Sequence, residues 1–374
     1  MTTNLSRRAW LQRSAMAAAV LPISKWYIPE PEVQRSNSRG AEGPVKLNSN
    51  ENAYGPGDAA RKAIIDSLDK ANRYAWPAID ALGEEIAKRE GLTPEHVLVT
   101  AGSTELLGLT GLVYGLHQGE LVACHPTFDF LLTYAEKLGA KWARTPVDEH
   151  FQQDLNALDK ATNANTKLIF ICNPNNPTGI ELPNDQLRSF CEVQAKKYPV
   201  YIDEAYIELS PNGRQSSMVD LVNQYPNVIV GRTFSKVHGL AGMRIGYALA
   251  HPDTIAKLAD LHIGRSMSIS VAACAAAIAS LHDAVFEAMS LEKIIQGRNM
   301  VTTAFDQWGV KYLPSATNFV FFHHDKFKQE PVMAMEKENI LLRNYKSVPG
   351  WTRVSIGKVE EMHLFLETMQ WYLS

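Results

Sequence analysis

Between about positions 45 and 285, short apolar runs alternate with longer stretches in which apolar residues recur at helical spacing. The runs predict strands at His96–Thr100, Leu121–Cys124, Lys167–Cys172, Val200–Ile202, Val228–Val230 and Gly246–Ala250. They are apolar almost throughout, without an in-out alternation, which is the pattern of strands covered on both faces. Between them the spacing predicts helices such as Glu105–Tyr114, Phe128–Leu138 and Asp185–Lys197. Strand and helix in alternation imply an α/β fold, a mostly parallel central sheet with helices on both faces, whose ligand sits beyond the carboxyl ends of the strands. After about position 285 the pattern changes. A long helical period runs to Trp308, short strands are predicted at Phe319–Phe322 and Thr352–Ile356, and a last helix from Val359 onward. The expected organisation is a large domain over 45–285 and a smaller C-terminal α+β domain over 286–374.

The first residues follow another grammar. Arg7 and Arg8, then Leu11, precede the apolar run Ala15–Ile23, which is too short to span a bilayer as a helix. Residues 1–28 therefore read as an export signal of the twin-arginine type, and 29–44, rich in Pro, Gly and Ser, as a linker. That reading implies a periplasmic destination and a partnership with export machinery; a frayed basic N-terminus on a cytoplasmic protein is the alternative. The leader also changes the charge picture. The whole chain carries a net charge of -3, but four of its 37 basic residues lie in the first 28 positions, leaving 33 against 40 acidic ones. No nucleic-acid-binding surface is indicated. The four cysteines, at 124, 172, 191 and 274, show no metal-ligand spacing and read as reduced, buried thiols, so no metal site is expected.

Candidate chemistry falls at the strand ends. After the strand KLIFIC comes NPNNPTG (Asn173–Gly179), a proline-stiffened turn on which Asn176 offers a side-chain amide donor; alone it is equally a tight loop. After PVYI come Asp203, Glu204 and Tyr206. A carboxylate at a buried strand end needs a partner, and a pyridinium N–H is a suitable one for Asp203, while Glu204 reads as well as a helix cap. After NVIVG, Lys236 stands among Thr233, Ser235 and Arg244. Hydroxyls and a guanidinium suit a phosphate monoester, and a lysine beside them can condense with the aldehyde of a phosphorylated cofactor. Upstream, Gly102, Ser103 and Thr104 form a small-residue turn at a helix start, where backbone N–H groups bind phosphate. Phe128, in HPTF, offers a face for stacking or is simply core.

The segments KLNSNENAYGP, NRYAWP, TAGSTE, HPTF, NPNNPTG, IDEAY, TFSKVHGLAGMRIGY, PSATNFV and WTRVSIG stand in the order found in aminotransferases of the type I pyridoxal-phosphate fold. Over roughly residues 45–374 the chain resembles that family, most of all its histidinol-phosphate aminotransferases. The resemblance implies pyridoxal 5'-phosphate as cofactor, with Lys236 forming the Schiff base and acting as base, Asp203 paired with the ring nitrogen, and Asn176 and Tyr206 on the phenolic oxygen. It further implies that Thr233, Ser235, Arg244 and the Gly102–Thr104 turn bind the phosphate and that Phe128 stacks on the ring. Arg353 would then bind the substrate carboxylate bidentately. Tyr54 resembles a residue that reaches the neighbouring subunit's phosphate site, which implies a homodimer. Arg343 and Tyr54 are also candidate substrate contacts, although an exposed arginine is the ordinary state of the former. Departures from the pattern, Ala53, Thr104 and the stretch Arg265–Ser270, lie on the substrate side. The expected reaction moves an amino group from histidinol phosphate or a related amino acid to a 2-oxo acid such as 2-oxoglutarate. Alternatives are a decarboxylase or other lyase of the same fold, an aminotransferase for aromatic or other amino acids, and a cofactor-holding regulator without turnover.

Overall fold

Strands without a polar face need cover on both sides, and the chain supplies it by returning through a helix after most of them. The structure is a computed structural model that describes residues 43–116, 118–262 and 267–373. The leader expected over 1–28 and nearly all of the linker over 29–44 lie outside these residues, as does most of the divergent 265–270 stretch's first half. In chain order, β1 (Val45–Lys46) leads to α1 (Asp58–Asp66), α2 (Trp76–Glu90), β2 (Val97–Thr100), α3 (Ser103–Gly115), β3 (Glu120–His125), α4 (Phe130–Lys137) and β4 (Lys141–Pro146). Then follow α5 (Leu155–Ala161), β5 (Thr166–Cys172), α6 (Asn184–Gln194), β6 (Val200–Asp203), β7 (Val228–Thr233), β8 (Gly246–Ala250), α7 (Pro252–Leu261) and α8 (Val271–Leu281).

Seven of these strands form one sheet in the order β2-β8-β7-β6-β5-β3-β4. All run in one direction except β8, which is antiparallel to β2 and β7. The reversal has a local cause: residues 234–245 between β7 and β8 hold a single 3-10 turn, Ala241–Met243, and no helix to carry a parallel crossover. Alternate residues of the buried strands feed two cores. Val122, Ile169, Ile171, Val200, Ile202 and Val230 pack against Leu82, Ile86 and Leu187 on one face. Leu121, Leu168, Phe170 and Ile229 pack against Leu106, Leu131 and Leu258 on the other. The six strands expected from the sequence are present. The edge strand β4 was not among them, because its residues alternate between exposed and buried and so lack a continuous apolar run. The four cysteines are buried and unpaired.

The chain continues through α9 (Ala284–Trp308), β9 (Phe319–His323), α10 (Pro331–Lys337), β10 (Ile340–Leu341), β11 (Arg343–Asn344), β12 (Trp351–Ser355) and α11 (Val359–Trp371). Asp283 starts α9 by accepting from Phe286 N, and Gly309, left-handed at φ +67, stops it. Strands β11, β12 and β9 make an antiparallel sheet whose apolar side chains, among them Val320, Phe322 and Val354, pack on Val301, Phe305 and Phe365. The short β1 pairs in parallel with β10. This places the segment after β1 beside the C-terminal sheet: Leu47 O accepts from Ser355 N, and Asn50 N donates to Ser355 Oγ.

Candidate active site

The carboxyl ends of β2, β3, β5, β6 and β7 and the C-terminal hairpin β11–β12 border one cavity of about 650 Å³. Lys236, Asp203, Tyr206, Asn176, Phe128, Ser103, Thr104, Ser235, Arg244, Arg343 and Arg353 all line it.

At one end lie groups suited to a phosphate. Ser103 and Thr104 begin α3, whose first N–H groups have no helical acceptor. Gly102 does not itself line the cavity. It sits at φ +83, which favours glycine, and the Arg244 guanidinium occupies the space a Cβ there would need, so a larger residue would displace it. Thr233 is a layer deeper: its hydroxyl donates to Ser235 Oγ at 2.9 Å and accepts from Ser235 N, which fixes the serine. Among the described residues no carboxylate pairs with Arg244, whose Nη1 donates to Ala241 O at 2.8 Å.

In the middle, the last residue of β6 is Asp203, 3% exposed. Burial pushes its carboxyl up to about 6, against the opposing pull of the Ala205 N–H and the Lys236 charge. It is a buried acid short of cationic partners, and a protonated ring nitrogen would complete it. Lys236 is pulled down to about 8, first by burial and then by Arg353, with Asp203 and Glu51 acting in the other direction. Its Nζ donates to Asn50 O at 3.0 Å and lies 5.3 Å from the centre of the Tyr206 ring. The Tyr206 hydroxyl, raised by burial, accepts from Asn50 Nδ2 at 2.9 Å. Directly behind, Glu204 turns away from the cavity and accepts from Arg232 Nε, Ser217 Oγ and Met218 N, each at 2.8 Å. Consecutive carboxylates on β6 thus serve different environments, one facing the cavity and one locked to a buried guanidinium.

The loops are tied to one another. Thr127 donates to Asn175 Oδ1 at 2.8 Å, and Asn175 Nδ2 donates to Thr178 and to Pro126 O, so HPTF and NPNNPTG are joined by hydrogen bonds through Asn175. On β12, Arg353 is 5% exposed. Its Nη1 donates to Asn176 Oδ1 at 2.7 Å and to the Tyr345 hydroxyl, and its Nη2 to Asn48 O at 2.7 Å. Its Nε is buried without a partner among the described residues. Arg343 stands directly opposite on β11, paired in register with Arg353. Like charges so placed repel each other unless an anion lies between or beside them.

Tyr54 does not line this cavity. Its hydroxyl is buried near Val359 and Glu360 at the start of α11, away from the other candidates. Sequence reasoning missed Asn48, Asn50 and Tyr345. The two asparagines lay inside the quoted KLNSNEN segment and were legible there. Tyr345 carried no signal, since only the β11–β12 register brings it to Arg353.

Pyridoxal phosphate fits these residues: an unpaired arginine and a helix start at one end, an under-compensated buried acid in the middle, and a lysine of lowered pKa between them. Comparison with known proteins gives the same answer. The family model for aminotransferase class I and II matches residues 42–369. A histidinol-phosphate aminotransferase of Nitrosococcus oceani is 32% identical, the match covering 95% of both chains. An aromatic amino acid aminotransferase of Rhodococcus erythropolis is 35% identical over 88% of this chain and 90% of its own. The crystal structure of histidinol-phosphate aminotransferase from Sinorhizobium meliloti in complex with pyridoxal-5'-phosphate superposes with a TM-score of 0.80 at 27% identity, covering 87% of this chain and 90% of that one.

Proposed function

Since the chain belongs to the class I and II aminotransferases, we propose that its amino donor is an amine bearing a second, anionic group, histidinol phosphate first, and its acceptor a 2-oxo acid such as 2-oxoglutarate. The enzyme is a pyridoxal-phosphate-dependent transaminase of the type I fold. Bound in the cavity, the cofactor supplies an aldehyde for the amine and a ring that withdraws electrons from the substrate's α-carbon.

The protein's groups do the rest. The Lys236 amine, held near 8, carries a free-base fraction of about a tenth at pH 7, far above that of an ordinary lysine, and could serve as the nucleophile toward the aldehyde and as the group that takes and returns the α-proton. Asp203, as the buried counter-ion, holds a proton at the ring nitrogen. Tyr206 and Asn176 would hold the phenolic oxygen, and Ser103, Thr104, Ser235 and Arg244, which line the same cavity, would hold the phosphate. Phe128 covers the ring. Arg353, buried on the cavity wall with its charge unmatched by a carboxylate among the described residues, would take a carboxylate or phosphate oxygen.

The observation that carries the donor assignment is the pairing of Arg343 with Arg353 across β11 and β12 on the cavity wall. Two arginines on neighbouring strands, Arg353 buried and Arg343 exposed, favour donors and acceptors with an anion beyond the reacting carbon: the phosphate of histidinol phosphate, or the distal carboxylate of glutamate. A screen of purified holoenzyme with histidinol phosphate, glutamate and aromatic amino acids against 2-oxoglutarate tests it. Highest kcat/KM for histidinol phosphate is the expected result; a preference for uncharged aromatic side chains, or release of CO2 without need of an acceptor, would overturn it.

Two further readings rest on the same proposal. A homodimer is supported by the exposed apolar residues Ile65, Leu68, Tyr74, Trp76 and Met267 around α1, α2 and the approach to α8. Tyr54 would then address the neighbour's site. Export through the twin-arginine leader is supported by the sequence of residues 1–28, and periplasmic recovery that depends on Arg7 and Arg8 would test it.

A further inference from the structure

We propose that Tyr345 is a positioning residue, which fixes the Asn176 amide with its NH2 toward the cavity and couples that amide to the anion-binding Arg353. The inference rests on the aminotransferase reading but not on which donor is used.

An asparagine amide has two ends of nearly equal size, one that accepts hydrogen bonds and one that donates. What meets each end decides which way it faces. At Asn176, Oδ1 meets Arg353 Nη1 at 2.7 Å and the Tyr345 hydroxyl at 3.3 Å. The guanidinium can only donate, so Asn176 must present its oxygen there. Tyr345 accepts from the same Nη1, which commits the phenol's lone pair and leaves its proton for Asn176 Oδ1. The three groups close a triangle in which Arg353 Nη1 donates to both oxygens and the Tyr345 hydroxyl donates to Asn176 Oδ1. Turning the amide over would set its NH2 against both the guanidinium and the phenolic proton. The amide nitrogen is left for the cavity and makes no hydrogen bond among the described residues, on the wall that also carries Asp203 and Tyr206.

The Tyr345 ring is held by contacts that do not use its hydroxyl. It meets the Phe321 ring edge-on at 5.9 Å, and Phe321 stacks on Trp351 at 5.2 Å. Tyr345 O accepts from Val348 N. Tyr345→Phe should therefore keep the hairpin in place while removing one corner of the triangle. An anion drawn to Arg353 competes for the hydrogens now shared with Asn176 and Tyr345, so filling the substrate site should loosen the amide that would face the cofactor's phenolic oxygen.

The test reads the cofactor's visible absorbance against pH, with no turnover needed, in wild type and Tyr345→Phe, each without and with saturating succinate as a non-reacting dicarboxylate. An amide donor on the phenolic oxygen withdraws negative charge from the neighbouring proton site, so loosening it should raise the midpoint by about half a pH unit or more. Succinate should move the midpoint in wild type and move it less in the variant, with the melting temperature unchanged. Asn176→Asp, which keeps the oxygen but cannot donate, should shift the midpoint in the same direction as Tyr345→Phe. Equal midpoints and equal succinate responses in wild type and Tyr345→Phe would overturn the role of Tyr345, even with histidinol phosphate turnover intact. Failure of histidinol phosphate as a donor, with the midpoint shift present, would overturn only the donor assignment.

Discussion

Burial shifts Asp203 and Lys236 in opposite directions, and the charge of each works against the shift of the other. The carboxyl is pushed up to about 6 and the amine down to about 8, because each would be charged in a dry site. An ordinary lysine becomes nucleophilic only near pH 10. Capture of the cofactor by the apoenzyme should instead reach half its limiting rate near pH 8, as followed by the rise of visible absorbance. Asp203→Asn removes the negative charge that holds the Lys236 pKa up, so the midpoint for capture should fall. Turnover should drop by about 10²-fold or more, roughly 3 kcal/mol in the barrier, because nothing then stabilises the ring proton. Stability should respond as well. Asp203 in the folded apoenzyme has a raised pKa, so its protonation favours the fold below about 4 and that contribution is lost as pH rises through about 6. Over that window wild-type apoenzyme should lose stability relative to Asp203→Asn in urea titrations; a constant difference would contradict the buried-acid account.

At the scale of elements, the turn between β2 and α3 shows what the site demands of the backbone. Gly102 combines a left-handed φ with the closest approach of the Arg244 guanidinium. Gly102→Ala should weaken cofactor binding about tenfold or more, with the strain of the backbone costing roughly 1–3 kcal/mol, as measured by fluorescence titration of the apoenzyme. Unchanged affinity would mean that Arg244 is not needed against the turn. Which elements could be read in the chain follows from the same physics. The central strands announced themselves because both faces are dry, and residues at their ends, Asn176, Asp203 and Lys236, could be named at once. The edge strand β4 alternates and was missed. The antiparallel β8 could not be distinguished from its neighbours, since strand direction depends on what the intervening loop does. Tyr345 was invisible because its role arises from a cross-strand register many residues from Asn176 in sequence, whereas Gly102 and Thr233 were found but act one layer behind the cavity wall.

For the whole molecule, the exposed apolar residues around α1 and α2 form a surface suited to a second copy of the chain. Tyr74 and Trp76 stack on each other at 5.2 Å while remaining 66% and 52% exposed. If a second copy covers them, Trp76→Asp should convert a dimer to monomers in analytical ultracentrifugation; a wild-type monomer would contradict the homodimer proposal. More locally, the Lys236 amine, which lines one cavity with the buried Asp203 and the Ser103–Thr104 turn, is proposed as the covalent anchor of the cofactor. Borohydride reduction of the holoenzyme followed by peptide mass spectrometry tests this directly. The account requires the reduced phosphopyridoxyl group on Lys236, and its recovery on any other lysine, or on none, would contradict it.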